Sequence, residues 1–204
     1  MGEDNQMRHM GTVKIVTNRL ILRRFTMKDV DAMYKNWTSE DEVTRYLTWP
    51  THTGVDVTRT VLEEWTQKYS ESDYYNWGIE LKDTEDLIGN IAADRHDEEK
   101  ETAFLGWCLG TRWWGQGIMP EAARAVLQYL LMEVGYNRVA AKHDSENTKS
   151  GRVMQKIGMT REGTFRAGGK NNRGIVDEVH YYMLRDEYEK KYAPSMKLTW
   201  RMEP

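Results

Sequence analysis

The chain has 204 residues, enough for one domain at about 150 residues per domain. Lys and Arg number 29 against 32 Asp and Glu, and the net charge of −3 lacks the basic excess of a dedicated nucleic-acid binder. Eight Trp and eleven Tyr supply core material, and the single Cys108 excludes an intrachain disulfide and a multi-cysteine metal site. The first 17 residues hold no apolar h-region, and no stretch approaches the ~20 apolar residues of a membrane span. A soluble, cytoplasmic protein is expected.

In chain order, Arg19 to Arg24 reads as the first strand, preceded by a flexible segment over residues 1–16. Thr26 and Asp29 have capping-box spacing before a helix face of Val30, Met33, Tyr34 and Trp37. Ser39 and Glu42 suggest a second box, opening a short helix with Val43, Tyr46 and Leu47. Val57, Val61, Leu62, Trp65 and Tyr69 form a third apolar stripe. The period then becomes two: Tyr75, Trp77, Ile79 and Leu81 alternate with smaller or polar residues, as in a half-buried strand. Leu87 to Asp94 and Ala103 to Leu109 follow through short turns, so the three strands should be antiparallel.

After Gly117 comes a long helix whose apolar residues repeat every four positions, up to Gly135. Arg138 to His143 reads as a strand, Asn147 to Ile157 as a helix, and Met159 to Arg166 as a strand. Gly168 to Gly174 reads as a polar loop, Ile175 to Leu184 as the last strand, and residues 191–204 as a tail. The fold class is α/β (α+β): one domain over residues 17–190, with a mixed, mostly antiparallel sheet flanked by helices.

The chemistry concentrates in Trp107 to Met119, a strand, a loop with two glycines, and a helix. Such glycines turn backbone amides outward, and the helix terminus adds unpaired N–H groups and a partial positive charge. Together they make an anion site, and phosphate is the usual guest. A P-loop is absent, and Pro120 stands where a dinucleotide fingerprint needs its third glycine.

Arg112-x-x-Gly115-x-Gly117 fits the Q/R-x-x-G-x-G/A pattern, and on it the chain resembles the GNAT N-acetyltransferases. Asn147-x-x-Ser150, Lys156-Ile157-Gly158-Met159 and Glu162-Gly163 are similar to the segment that closes that fold. Thr17-x-Arg19-Leu20-Ile21-Leu22-Arg23 resembles the opening of the RimJ/RimL-type branch, which acetylates ribosomal-protein N-termini.

The resemblance implies acetyl-CoA as cosubstrate and no metal. Backbone groups of Trp107, Cys108 and Leu109 would pair with the pantetheine arm like an added strand. Amides from Arg112 through Gly115, Gln116, Gly117 and Ile118 would hold the pyrophosphate. Asn147 would bond the pantetheine arm, and Ser150 would assist the leaving thiolate. Rings from Tyr46 and Trp49, with Trp77, would border the acceptor groove. Phe104 stands where many members carry a catalytic Glu, and Gly168 and Gly169 stand nearest the carboxylate of some ribosomal-protein members. Asp94 and His96 are then the candidate bases, through a water chain.

The expected activity is transfer of acetyl to a protein N-terminal α-amine, in a monomer or homodimer, with neither a membrane nor nucleic acid as partner. A small-molecule or antibiotic acetyltransferase and a silent acyl-CoA-binding module are the alternatives.

Overall fold

The computed structural model describes residues 7–192 and 201–203, with residues 94–96 and 201–203 described by backbone alone. Nine strands form one sheet in the order β7-β8-β6-β5-β4-β3-β2-β1-β9. The strands are β1 Lys14–Val16, β2 Leu20–Arg23, β3 Asn76–Leu81, β4 Leu87–Asp97, β5 Thr102–Leu109, β6 Arg138–Asp144, β7 Thr160–Asn171, β8 Gly174–Leu184 and β9 Arg201–Glu203. Every neighbouring pair is antiparallel except β5 and β6. A parallel pair needs a crossover, and α4 (Ile118–Gln128), extended by a π-helical segment Tyr129–Val134, supplies it.

The apolar stripe of α4 is buried as its spacing requires, with Ala122, Ala123, Val126 and Leu127 packed on Trp77, Ile79, Ile91 and Leu105. Gly135 ends the helix at φ +95°, a left-handed conformation that glycine adopts without a Cβ penalty. The helix α5 (Thr148–Lys156) packs on the same side, against α4, β6 and β7. On the opposite side, α1 (Val30–Met33), α2 (Asp41–Thr44) and α3 (Val55–Lys68) cover β3 and β4 with a second apolar cluster. That cluster stops at Cys108. Further along β5 on this side, Phe104 and Gly106 are exposed.

Several expectations change. Residues 7–16 belong to the fold: β1 pairs with β2 and β9, and the Tyr129 hydroxyl donates to the Gly11 carbonyl at 2.8 Å. Part of the expected tail, Arg201–Glu203, is the edge strand β9. The expected half-buried strand is buried on both faces, because Phe25 and Leu87 cover Gly78 opposite the main core. The Thr26–Asp29 box forms, with the Thr26 amide donating to Asp29 Oδ2 at 2.7 Å. The Ser39–Glu42 box does not, since the Ser39 hydroxyl instead donates back to the Tyr34 carbonyl at 2.7 Å. Val57 is exposed, whereas Leu62 carries the burial of α3. The expected loop over 168–174 is mostly strand, with β7 and β8 joined by a tight turn at Asn172 and Arg173.

Candidate acyl-transfer site

The loop between β5 and α4 turns on two left-handed glycines, Gly115 at φ +77° and Gly117 at φ +74°. Gly117 is the N-cap of α4 and brings no side chain to cap it, which leaves first-turn amides to a ligand or water. The loop is held from β2. The Arg19 guanidinium donates to Glu121 Oε2 at 2.7 Å and to the Gln116 carbonyl at 3.0 Å, and the Thr17 hydroxyl donates to Glu121 Oε1 at 2.7 Å. Burial alone would raise the Glu121 carboxyl, but bonds from the Arg19 amide, the Thr17 hydroxyl and the Arg19 guanidinium hold it below its ordinary value. The Thr17-x-Arg19 opening therefore buttresses the anion loop, a role the sequence reading did not assign it.

A second feature lies between the strands. β5 pairs with β6 only from Thr102↔Arg138 to Leu105↔Ala141, although β5 runs to Leu109 and β6 to Asp144. Beyond that point β5 stays bonded to β4 and β6 to β8. The two parallel strands part like a V, leaving one backbone edge of Gly106 to Leu109 without a strand partner. An unpaired edge is a template for an extended ligand.

Across the opening stands the N-terminus of α5. Asn147 caps it by accepting the Ser150 amide on Oδ1 at 3.3 Å, and Ser150 is half-buried beside it. The corner before it is fixed by Asp144, whose buried carboxylate accepts from Asn171 at 2.8 Å, from Arg173 at 3.0 Å and from the Glu146 amide at 2.9 Å. Burial opposes the charge on Asp144, yet these donors hold its carboxyl below the ordinary range. The turn at Asn172 is tied to the segment after α2, where its side-chain amide donates to the Thr44 and Trp49 carbonyls at 2.9 and 2.7 Å.

These walls enclose a cleft of about 490 Å³. Among the expected site residues, Tyr46, Trp107, Cys108, Leu109, Gly115, Gly117, Ile118, Asn147 and Ser150 line it. The guanidinium groups of Arg45 and Arg173 each lie over the Tyr46 ring, at 5.5 and 5.6 Å.

Four expected residues lie elsewhere. Arg112 is exposed and stacked over Trp113 at 5.4 Å, outside the cleft lining. Gln116 is exposed, its side chain donating to the Arg112 carbonyl at 2.9 Å. Trp77 is wholly buried, its indole donating to the Val13 carbonyl at 2.6 Å, so it is core and borders no groove. Trp49 packs against His52 at 5.3 Å and supports the Asn172 contact from outside the lining. The side chains of Asp94 and His96 lie outside the described residues. Cys108 donates to Asn90 Oδ1 at 2.6 Å, and burial pushes its thiol up to about 12, which leaves no thiolate for covalent chemistry.

An anion loop at the start of the crossover helix, an open strand edge and a capped second helix thus meet in one cleft. Residues 19–160 match the acetyltransferase (GNAT) domain family. The chain belongs to the GNAT family. It is an N-acetyltransferase by relatives as well as by fold. It is 32% identical to the uncharacterised N-acetyltransferase YnaD of Bacillus subtilis, over 85% of this chain and 98% of that one. A GNAT-family acetyltransferase from Bacillus anthracis superposes with a TM-score of 0.76 at 31% identity, over 85% of this chain and 99% of that one. A shorter match, 32% identical over 60 residues (29% of this chain and 31% of that one), is to the [ribosomal protein uS5]-alanine N-acetyltransferase of Escherichia coli.

Proposed function

We propose that this GNAT enzyme transfers acetyl from acetyl-CoA to the α-amine of a protein or peptide N-terminus in the cytoplasm. The pantetheine arm lies along the open edge of Trp107 to Leu109, and the pyrophosphate on the amides from Gly115 to Ile118. Asn147 bonds the arm, and the Ser150 hydroxyl donates to the departing sulfur. The amine attacks the thioester carbonyl, an N–C bond forms, and the C–S bond breaks.

The choice of acceptor rests on one observation: the open face of β5 at the vertex of the V presents Phe104 and Gly106 and no carboxylate. An α-amine has a pKa of ~7.7–8.0, so about a quarter to two-fifths of it is neutral at pH 7.5. A lysine at ~10.4 is neutral about one time in a thousand, a deficit of roughly 3.5 kcal/mol. With no base on β5 itself beside the thioester, the cheaper amine is favoured. The uS5-alanine acceptor for which the E. coli relative is named agrees with this choice.

The test compares kcat/KM for an alanine-initiated peptide with that for its N-blocked, lysine-containing counterpart, and with polyamines, between pH 6.5 and 9.5. The α-amine should be preferred near neutrality. A higher value for the blocked lysine peptide or for a polyamine would overturn the choice, and thiol release with no amine would overturn the activity.

A further inference from the structure

The acyl-transfer reading places the reactive end of the cosubstrate at the vertex of the V. The pyrophosphate loop follows Leu109, so an arm running back along β5 reaches Gly106, where the last β5–β6 pair, Leu105↔Ala141, closes the opening. Nothing lies within 4 Å of a Cβ built on Gly106, so this face is open to an acceptor.

Cross-strand partners share a face, and the register carries the face of Phe104 and Gly106 across the sheet. Phe104 pairs with Ala140, and Ala140 with Tyr182. Two residues on, at the vertex, Lys142 pairs with His180. Two further, Glu178 pairs with Asp144 on one side and with Phe165 on the other. Three polar side chains thus gather beside the vertex. The Lys142 ammonium donates to Glu178 Oε2 at 2.8 Å, and His180 Nε2 lies 3.3 Å from the same oxygen. The Phe165 ring, half exposed, lies 4.3 Å from the His180 ring, and exposed Phe104 borders the vertex on β5.

The Glu178 carboxylate is a prepared group rather than a solvated surface charge. Its side chain is only 12% exposed. Space for it comes from Gly169 on β7, where a Cβ would overlap Glu178 Oε1 and Cδ and lie 2.8 Å from Cγ. Gly169 has no left-handed φ to require glycine, so the carboxylate itself accounts for the missing side chain. Its bonded partner, Lys142, carries a primary ammonium, the same chemical group an acceptor amine presents.

We propose that Glu178 is the catalytic carboxylate that receives the acceptor ammonium, with Lys142 holding its place until substrate arrives. The inference rests on the acetyl-transfer reading above. Two strand spacings, ~10 Å, separate β5 from β8, a span shared by the glutamate side chain and the substrate amine. Glu178 takes one proton from R–NH3+, and the neutral nitrogen attacks the carbonyl carbon. As the C–S bond breaks, its electron pair stays on sulfur, which takes the second proton from nitrogen. The products are the amide and the free thiol, and Glu178 returns its proton to water.

The experiment measures acetylation of the alanine-initiated peptide by wild type and four variants, with acetyl-CoA binding followed by calorimetry. Glu178→Gln should lower kcat/KM by about a hundredfold, the scale of a lost acid–base group, and leave acetyl-CoA affinity within about twofold. Lys142→Met should lower KM for the peptide, because the competing ammonium is gone; a purely structural ion pair would not move KM that way. Glu178→Ala should be as slow as Glu178→Gln. Adding Gly169→Asp to Glu178→Ala should restore at least about tenfold, since the three atoms nearest a Cβ at 169 all leave with the glutamate. An active wild type whose Glu178→Gln variant keeps kcat/KM within about threefold would overturn the inference. If Glu178→Gln does not fold, an unchanged or raised peptide KM in Lys142→Met would overturn it. A wild type that binds acetyl-CoA but acetylates no amine defeats the acetyl-transfer reading itself, and is distinguished because it needs no variant.

Discussion

Gly117→Asp separates the folding role of the loop from its ligand role. At φ +74° any side chain sits in the left-handed region, at a cost of roughly 1–2 kcal/mol, and Asp is among the residues that tolerate it best. Space is not limiting, because a Cβ there has only Arg19 Nη2 nearby, at 3.6 Å. The variant should therefore fold, with a thermal midpoint lower by about 2–8 °C for a chain of this size. Binding should suffer far more. A carboxylate about 5 Å from one phosphate charge, at an effective dielectric near 20, repels it by roughly 3.3 kcal/mol, and the second phosphate adds to this. That corresponds to more than about a hundredfold in acetyl-CoA affinity. Gly117→Ala carries the same backbone cost without the charge and should lose no more than about tenfold. Scanning fluorimetry and calorimetry on both variants measure the two effects. A folded Gly117→Asp protein that binds acetyl-CoA within about threefold of wild type would refute the anion site.

Three further outcomes follow from the same geometry. Ser150→Ala should lower kcat by ~10–100-fold with little change in acetyl-CoA affinity, because a thiol of pKa ~8.5 needs only one hydrogen bond to leave; an unchanged kcat would make Ser150 a helix residue and no more. Gly89→Ala should cost about 3 kcal/mol, the upper end for overpacking, since its Cβ would overlap the Cys108 carbonyl oxygen and lie 3.0 Å from Leu109 Cα; a thermal midpoint within about 2 °C of wild type would show that β5 yields freely. The Glu121 carboxyl lies below its ordinary value of 4.5 in the folded state, so its contribution is complete above that value and lost as pH falls through it. Thermal midpoints between pH 7 and 3 should therefore fall more steeply below pH 4.5 in wild type than in Glu121→Gln, and parallel curves would contradict this.

How much of this was legible in the sequence depended on the range of each interaction. The α4 stripe, its glycine stop and the Asn147 cap are local, and they appear where the spacing puts them. Trp77 was misassigned because alternation shows which residues share a face and not what covers the other one. With helices on both sides, β3 is buried on both faces from Asn76 to Ile79. Ser39 illustrates a competition: a residue placed to cap the following helix also ends the preceding one, and the Tyr34 carbonyl won its hydroxyl. The Arg19–Glu121 bond spans 102 positions, and the outer edge of β1 pairs with β9, almost the whole chain away. No local pattern announces such partners.

The catalytic carboxylate has the same origin. Read in line, Phe104, Gly168 and Gly169 offer no acid, which leaves only Asp94 and His96 as candidates. A strand neighbour, however, contributes side chains to the same face at the same level, so an empty position on one strand can be filled from the next. Gly169 is empty in that sense: the Glu178 carboxylate occupies the space above it, nine residues later in sequence and one strand over. An α-amine remains the favoured acceptor with Glu178 as the base. Glu178 stands two strands from β5 and is already bonded to Lys142, so an acceptor must first displace an ammonium. An α-ammonium that sheds its proton near neutrality meets both conditions more cheaply than a lysine, whose deprotonation adds roughly 3.5 kcal/mol to the same displacement. Lys142→Met should therefore lower KM for the alanine-initiated peptide and for the blocked lysine peptide by a similar factor, and leave the preference for the α-amine in place. If KM falls for neither peptide, the place-holding role of Lys142 is wrong.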